Sequence, residues 1–189
     1  MNRYECDVLK MIRRFPNRNQ RELAEITGCS VGSVNQAIRS LVQLGYLDQD
    51  GRLTEKAMGL FERSIPKQAV ILAAGYGMRM VPINMEYSKA LLEVNGEPLI
   101  ERQIKQLREA GVEQIYVVVG FMKEKFDYLI DEYGVELIVN PQYAVKNNLH
   151  SLMLAKDHLN NCYVVPCDIW CSRNPFDKDE LYSWYMVSA

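Results

Sequence analysis

No apolar stretch in this sequence is long enough to span a bilayer. The longest, residues 69–75 and 117–121, fall far short of the roughly 20 residues that a spanning helix requires, so membrane insertion is not expected. An excess of charge is lacking too. The formal net charge of −2 argues against strong attraction of the whole chain to nucleic acid or to an anionic membrane. There is also no disulfide framework. The cysteines Cys6, Cys29, Cys162, Cys167 and Cys171 are odd in number and unevenly spaced, and no signal peptide precedes them. Free thiols in a cytoplasmic protein are the expectation. Cys162, Cys167 and Cys171 lack a fourth zinc ligand of suitable spacing, even with His158 nearby.

What remains is ordinary globular material: 48% of the 189 residues are hydrophobic and 24% charged. That suffices for a core without disulfides or a metal. At about 100–200 residues per domain, the length allows one large domain or two small ones. A division near Ile65 separates ten Lys/Arg and eight Asp/Glu from twelve and sixteen, net +2 against −4. This weak asymmetry is compatible with DNA contact at the N-terminal end.

The first part, residues 1–65, reads as a series of short helices. Val8, Leu9, Met11, Ile12 and Phe15 form a helical stripe over residues 4–15, closed by Pro16. A second helix over 20–27 ends at Gly28. Ser30 caps a third, running to about Leu44 with Val31, Val34, Ile38, Leu41 and Val42 inward. Strands at 46–47 and 52–53 flank Asp50-Gly51 as a small hairpin, and Thr54 caps a last helix through Phe61. This order resembles the winged-helix domain of bacterial transcription regulators. The resemblance implies that the third helix enters the major groove of double-stranded DNA. Ser33, Gln36 and Arg39 would face bases and phosphates, and Arg52 on the wing would reach the backbone. A solvated helix face, or a protein contact such as a homodimer, are the plainer readings of the same residues.

The second part, residues 66–189, alternates strands and helices. Residues 67–75, KQAVILAAG, suit a strand buried on both faces. Helix 98–109, strand 114–119, helix 123–132, strand 135–139, helix 148–157 and strand 162–166 follow. Such alternation predicts a mostly parallel sheet with ligands at the carboxyl ends of its strands. Gly75 and Gly77 let the backbone approach a phosphate, and Arg79 and Lys89 add positive charge to the same loop.

The run Ala73-Ala74-Gly75-x-Gly77-x-Arg79, with Pro82 and then Lys89-Ala90-Leu91, resembles the signature of nucleotidyltransferases that make nucleotide-activated sugars and alcohols. Asn95-Gly96-x-Pro98-Leu99-Ile100 continues the likeness. It is neither the Walker loop nor the dinucleotide fingerprint. The resemblance implies an α/β protein: a winged helix-turn-helix followed by a Rossmann-like, mostly parallel nucleotidyltransferase sheet. Within this superfamily the likeness is nearest to bacterial choline-phosphate cytidylyltransferases. It is carried by Val119-Gly120-Phe121, by Lys123-Glu124-x-Phe126-Asp127-Tyr128-Leu129, by Asn140-x-x-Tyr143 and by Asn147-Asn148-x-x-Ser151-Leu152.

Several expectations follow from that resemblance. CTP binds along Ala73, Ala74, Gly75, Gly77, Arg79, Lys89 and Gly120, with Asn148 and Ser151 shaping the base pocket. Asp168 holds Mg²⁺ against triphosphate oxygens, although Pro166 and Cys167 stand where relatives often carry a second polar or acidic group. Arg79, Lys89 and Asp168 are the catalytic set, and phosphocholine or another phosphorylated compound is the acceptor. A sugar-1-phosphate transferase and a nucleotide-sensing DNA-binding regulator are the alternatives. Plainer readings also stand: Asp168 as a cap, Asn147-Asn148 as an N-cap pair, Tyr143 as packing. The final LYSWYMVSA reads as in or just after a strand, and the family domain continues beyond it, so the sheet is expected to be incomplete.

Overall fold

The computed structural model describes residues 1–77 and 87–187. These form two compact units, one of residues 1–65 and 179–189, the other of residues 66–178. The sequence assigns everything after residue 65 to the second unit, whereas in the structure the segment from Asp179 groups with the first.

The first unit begins with α1 (Arg3–Arg14), α2 (Gln20–Thr27), α3 (Val31–Gln43) and α4 (Glu55–Ser64). Each starts where a side chain accepts hydrogen bonds from otherwise unpaired N–H groups. Asn2 caps α1 and Asn19 caps α2, each in a reciprocal box with the glutamate three residues on. Ser30 caps α3 and Thr54 caps α4. Gly28 stops α2 in the left-handed conformation, at φ 67°. Val8, Leu9, Leu23, Val34, Leu41, Ala57 and Phe61 meet in one core. The predicted hairpin is present as an antiparallel bridge between Leu47 and Leu53, flanked by the backbone N–H of Asp48 donating to the Arg52 carbonyl at 2.9 Å and that of Thr54 donating to the Tyr46 carbonyl at 3.1 Å. Asp48 takes over the turn: its Oδ1 accepts from the N–H groups of Asp50 and Arg52, at 2.9 and 2.8 Å.

In the second unit, β1 (Gln68–Ala73), β4 (Gln114–Val119), β5 (Glu136–Val139) and β6 (Cys162–Pro166) form a four-stranded parallel sheet in the order β5-β4-β1-β6. β1 is central and buried on both faces. Ile71 and Ala73 pack into the core that contains Ile100, Ile104 and Leu107 of α5 (Leu99–Glu109), while Val70 packs with Tyr116, Val118 and Ala155 on the other side. Between β1 and α5 lies a small antiparallel pair, β2 (Glu93–Val94) and β3 (Glu97–Pro98). Asn95 and Gly96, both at positive φ, make its two-residue turn. The sequence reading saw Asn95-Gly96 only as a lead into the helix.

Two predicted helices are shorter in the structure. Residues 123–126 form a 3₁₀ turn before α6 (Tyr128–Tyr133), and α7 (Asn148–Leu154) gives way to another 3₁₀ turn over 156–158. The hydroxyls of Tyr128 and Tyr133 donate to opposite oxygens of Glu101 on α5, at 2.9 and 2.5 Å. Burial first, and that carboxylate second, push the Tyr128 phenol well above its usual range. Residues 181–187 carry no helix or strand, which corrects the reading of the chain's end as strand. No helix among the described residues is long and apolar enough to cross a membrane.

Candidate active site

The chain leaves β1, builds β4 and β5 on one side, and returns to place β6 on the other. Connections therefore diverge at the carboxyl ends of β1 and β6, the kind of crevice in which α/β sheets bind ligands. Ala73 ends β1, and Ala74, Gly75, Tyr76 and Gly77 follow it. Gly77 has φ 68°, a backbone that a side chain would strain. At Gly75 a Cβ would meet no described atom within 4 Å, so the smallness of this residue leaves its backbone open on that side. Arg79 and Pro82 lie outside the described residues, and the assignments made to them rest on the sequence.

Lys89 opens a 3₁₀ turn (Lys89–Leu91) and stands between buried Ser88 and buried Ala90. Its ammonium is ion-paired with the carboxylate of Asp168. The structure thus brings together two residues separated by 79 positions, both named from the sequence as catalytic. Asp168 stands two residues beyond β6. The N–H of Cys167 still donates to the carbonyl of Leu72 at 3.3 Å, so the β1–β6 pairing carries the chain to the brink of Asp168. Burial, together with the adjacent Asp168 carboxylate, pushes the Cys167 thiol up to about 12. That favours the thiol over the thiolate, and Cys167 packs against the sheet core.

On the other side of β1, Gly120 follows β4 at a point with no spare room. A Cβ there would lie 2.6 Å from Cβ of Tyr143 and 2.8 Å from the carbonyl oxygen of Ala74. Next to it, the N–H of Phe121 donates to that same carbonyl at 3.2 Å. The Phe121 ring meets Tyr76 edge-on, with centroids 4.5 Å apart. Ala74, Tyr76, Gly120, Phe121 and Tyr143 thus hold the loop after β1 against the end of β4.

Ser151 is buried, and its Oγ accepts from Nδ2 of Asn140 at 3.0 Å. Asn148 is exposed at the first turn of α7, where the neighbouring Asn147 acts as the cap by accepting from the N–H of Leu149 at 3.1 Å. In the helical unit, Ser33, Gln36 and Arg39 of α3 are all exposed, as is Arg52 beyond the turn.

Among the described residues no group of three His, Cys, Asp or Glu side chains gathers in metal-binding distance. Magnesium does not require one, because it is commonly held by one or two carboxylates and the phosphates of its substrate. Asp168 has the right donor chemistry: a hard oxygen pair, about one-third exposed, that already takes a cationic partner in Lys89. The residues present fit such an ion.

Sequence reasoning overlooked Gln103. Its amide Nε2 donates to the carbonyls of Pro166 and Ile169, at 3.0 and 2.9 Å. The signal was there: a glutamine interrupting the apolar series Ile100, Ile104, Leu107 on the inward face of α5. Neighbouring α5 side chains hold the rest of the same segment. Nε of Arg102 and Nε2 of Gln106 both donate to the Cys171 carbonyl, at 2.8 and 3.1 Å.

Comparison with known proteins agrees with this geometry. Residues 69–175 match the family model described as a MobA-like NTP transferase domain, and residues 7–73 match one described as wHTH-PRTase associated. Choline-phosphate cytidylyltransferase of Streptococcus pneumoniae is 47% identical over 118 residues, 62% of this chain and 52% of that protein. The Haemophilus influenzae choline-phosphate cytidylyltransferase is 39% identical over 63% of this chain and 51% of its own length. The 2-aminoethylphosphonate cytidylyltransferase of Lancefieldella rimae is 46% identical over 101 residues, 53% of this chain and 41% of that protein. The chain thus spans about half the length of the curated relatives it matches. A solved structure of the Streptococcus pneumoniae CTP:phosphocholine cytidylyltransferase superposes with a TM-score of 0.58, covering 59% of this chain and 49% of that one. With more than half of its residues within the matched domain, this chain belongs to the MobA-like NTP transferase family, carrying a winged-helix region in front.

Proposed function

We propose that this chain is the nucleotide-binding part of a CTP-dependent cytidylyltransferase that joins CTP and phosphocholine into CDP-choline and pyrophosphate. The observation that carries the reading is the Lys89–Asp168 pair at the sheet's switch point, beside the Gly75–Gly77 loop. The likeness to choline-phosphate cytidylyltransferases over this same region supports the choice of base and acceptor.

An oxygen of the phosphocholine phosphate attacks the α-phosphorus of CTP. A new P–O bond forms there while the bond to the β-phosphate oxygen breaks, and pyrophosphate departs with that electron pair. A phosphate monoester is already a competent nucleophile near neutral pH, so the protein's task is positioning and charge neutralisation. Backbone N–H groups of the Gly75–Gly77 loop hold phosphate oxygens. Lys89 holds phosphoryl oxygens, and Arg79 stabilises the charge growing on the leaving group. Asp168 is the residue that would hold Mg²⁺, whose chemistry when bound is to neutralise triphosphate charge.

Pyrophosphate release, followed with Mg²⁺ and each nucleoside triphosphate in turn, tests the proposal. Release is expected only when CTP and phosphocholine are both present, and Lys89→Ala is expected to lower it by about 10²-fold or more. Release that ignores Lys89, or an absence of CTP binding by calorimetry, would overturn the assignment. A second reading applies to the first unit. The shared exposure of Ser33, Gln36 and Arg39 on α3, with Arg52 also exposed, favours a face that contacts double-stranded DNA.

A further inference from the structure

Residues 167–174, which carry Asp168, belong to no helix or strand. Their carbonyls therefore need partners from elsewhere. Side chains of α5 supply them: Gln103 donates to Ile169 and also to Pro166, the last residue of β6, Arg102 and Gln106 donate to Cys171, and Arg102 again to Ser172, at 3.0 Å. Asn174 returns the bond, its Nδ2 donating to the Gln106 carbonyl at 2.8 Å.

Within this set Gln103 is peculiar. It is only 3% exposed, and its Oε1 is buried without a hydrogen-bond partner among the described residues. An unsatisfied buried acceptor is destabilising, because it gives up its bond to water for nothing. An apolar residue of similar shape on this inward face would avoid that cost. What such a residue could not do is use both amide hydrogens at once, one on the carbonyl before Cys167-Asp168 and one on the carbonyl after. Those two bonds bracket the dipeptide and fix the backbone from which the Asp168 carboxylate is aimed at Lys89.

We infer that Gln103 is a positioning residue for Asp168, acting through the backbone of residues 166–169 to set the carboxylate for a divalent cation and its nucleotide. The inference rests on the reading of Asp168 as the ligand of that cation. Partners that orient a ligand typically affect metal affinity by about 10–100-fold when removed.

The test measures CTP binding by calorimetry to the full chain, once with MgCl₂ and once with EDTA, alongside the thermal transition. Gln103→Met keeps the volume, removes both donated bonds and also removes the orphan acceptor. It is expected to lose about tenfold or more of the affinity gained from Mg²⁺, with binding in EDTA unchanged and a cooperative transition retained. Gln103→Asn keeps an amide one methylene short and serves as the second variant, with a loss in the same direction. An equal fall with and without Mg²⁺, no fall at all, or loss of folding in both variants would overturn the inference and make Gln103 a support of the fold alone. Asp168→Asn separates the two levels. If it abolishes the Mg²⁺ gain while Gln103→Met does not, only the positioning role falls. If Asp168→Asn keeps the gain, or the unsubstituted chain shows none, the reading of Asp168 itself falls and the inference with it.

Discussion

A methyl group at position 120 has nowhere to go. Its Cβ would sit 2.6 Å from the Cβ of Tyr143 and 2.8 Å from the backbone oxygen of Ala74, and neither is the free end of a flexible side chain. Gly75 is the reverse case, with no described atom within 4 Å of the same added carbon. The sequence reading assigns both glycines to the nucleotide site, but a sequence does not tell a glycine required by its protein neighbours from one with open space beside it. The structure separates a crowded position from an open one, and the difference is testable. Gly120→Ala should destabilise the sheet unit by about 1–3 kcal/mol through overpacking, read as a lower thermal transition. Gly75→Ala should melt with the unsubstituted chain yet bind CTP more weakly, because its Cβ would stand where a phosphate approaches the backbone. A Gly120→Ala chain of unchanged stability would show that Tyr143 yields, and that Gly120 serves the ligand instead.

Elements with a strong local cause were the most legible. Gly28, Ser30 and Thr54 each decide a helix end through a hydrogen bond or a positive φ within a few residues, so the end of α2 and the starts of α3 and α4 could be placed closely. The parallel strands were equally plain, since β1 and β4 are continuous apolar runs. The expected hairpin is short but paired: the Leu47–Leu53 bridge lies between backbone bonds of Asp48 with Arg52 and of Thr54 with Tyr46, and the Asp48 carboxylate satisfies two further N–H groups of the turn. The outward face of α3 was legible as a face, though not as a contact, and its prediction belongs at this scale. Fluorescence anisotropy with mixed double-stranded DNA should detect binding at low salt. Gln36→Ala or Arg39→Ala should weaken it by about 1–3 kcal/mol, and Arg52→Ala should reduce the salt slope by about 1. Binding untouched by all three substitutions would remove α3 from the contact, and an absence of binding would leave protein association as this unit's role.

For the molecule as a whole, the largest gap in the reading is the path of the chain's last residues. The segment from Asp179 has no periodicity to betray its partners, and what holds it lies 166 to 175 positions back. Asp179 is 4% exposed and accepts from Nη1 of Arg13 at 2.7 Å; Lys10 meets Glu180 at 3.5 Å; the Tyr182 hydroxyl donates to Asp7 at 2.8 Å. Leu181 packs against the helical core itself. The unit of residues 1–65 thus also includes the segment from Asp179, with residues 66–178 between the two in sequence. Contacts made over such a separation close a long loop, and they stabilise only if their burial exceeds that ordering cost. Leu181 supplies apolar burial. In the Asp179–Arg13 pair a buried carboxylate is satisfied by a guanidinium that stays one-quarter exposed, and stranding that carboxylate would cost about 1–3 kcal/mol. A chain ending at Lys178 should consequently show faster amide exchange along α1, whose outer face loses these partners, while α5 in the sheet unit exchanges as before. Asp179→Ala should reproduce part of that loss by leaving Arg13 to water. Equal exchange in α1 with and without the segment would mean that residues 179–187 merely lie on the helices, and that residues 1–65 hold their fold unaided.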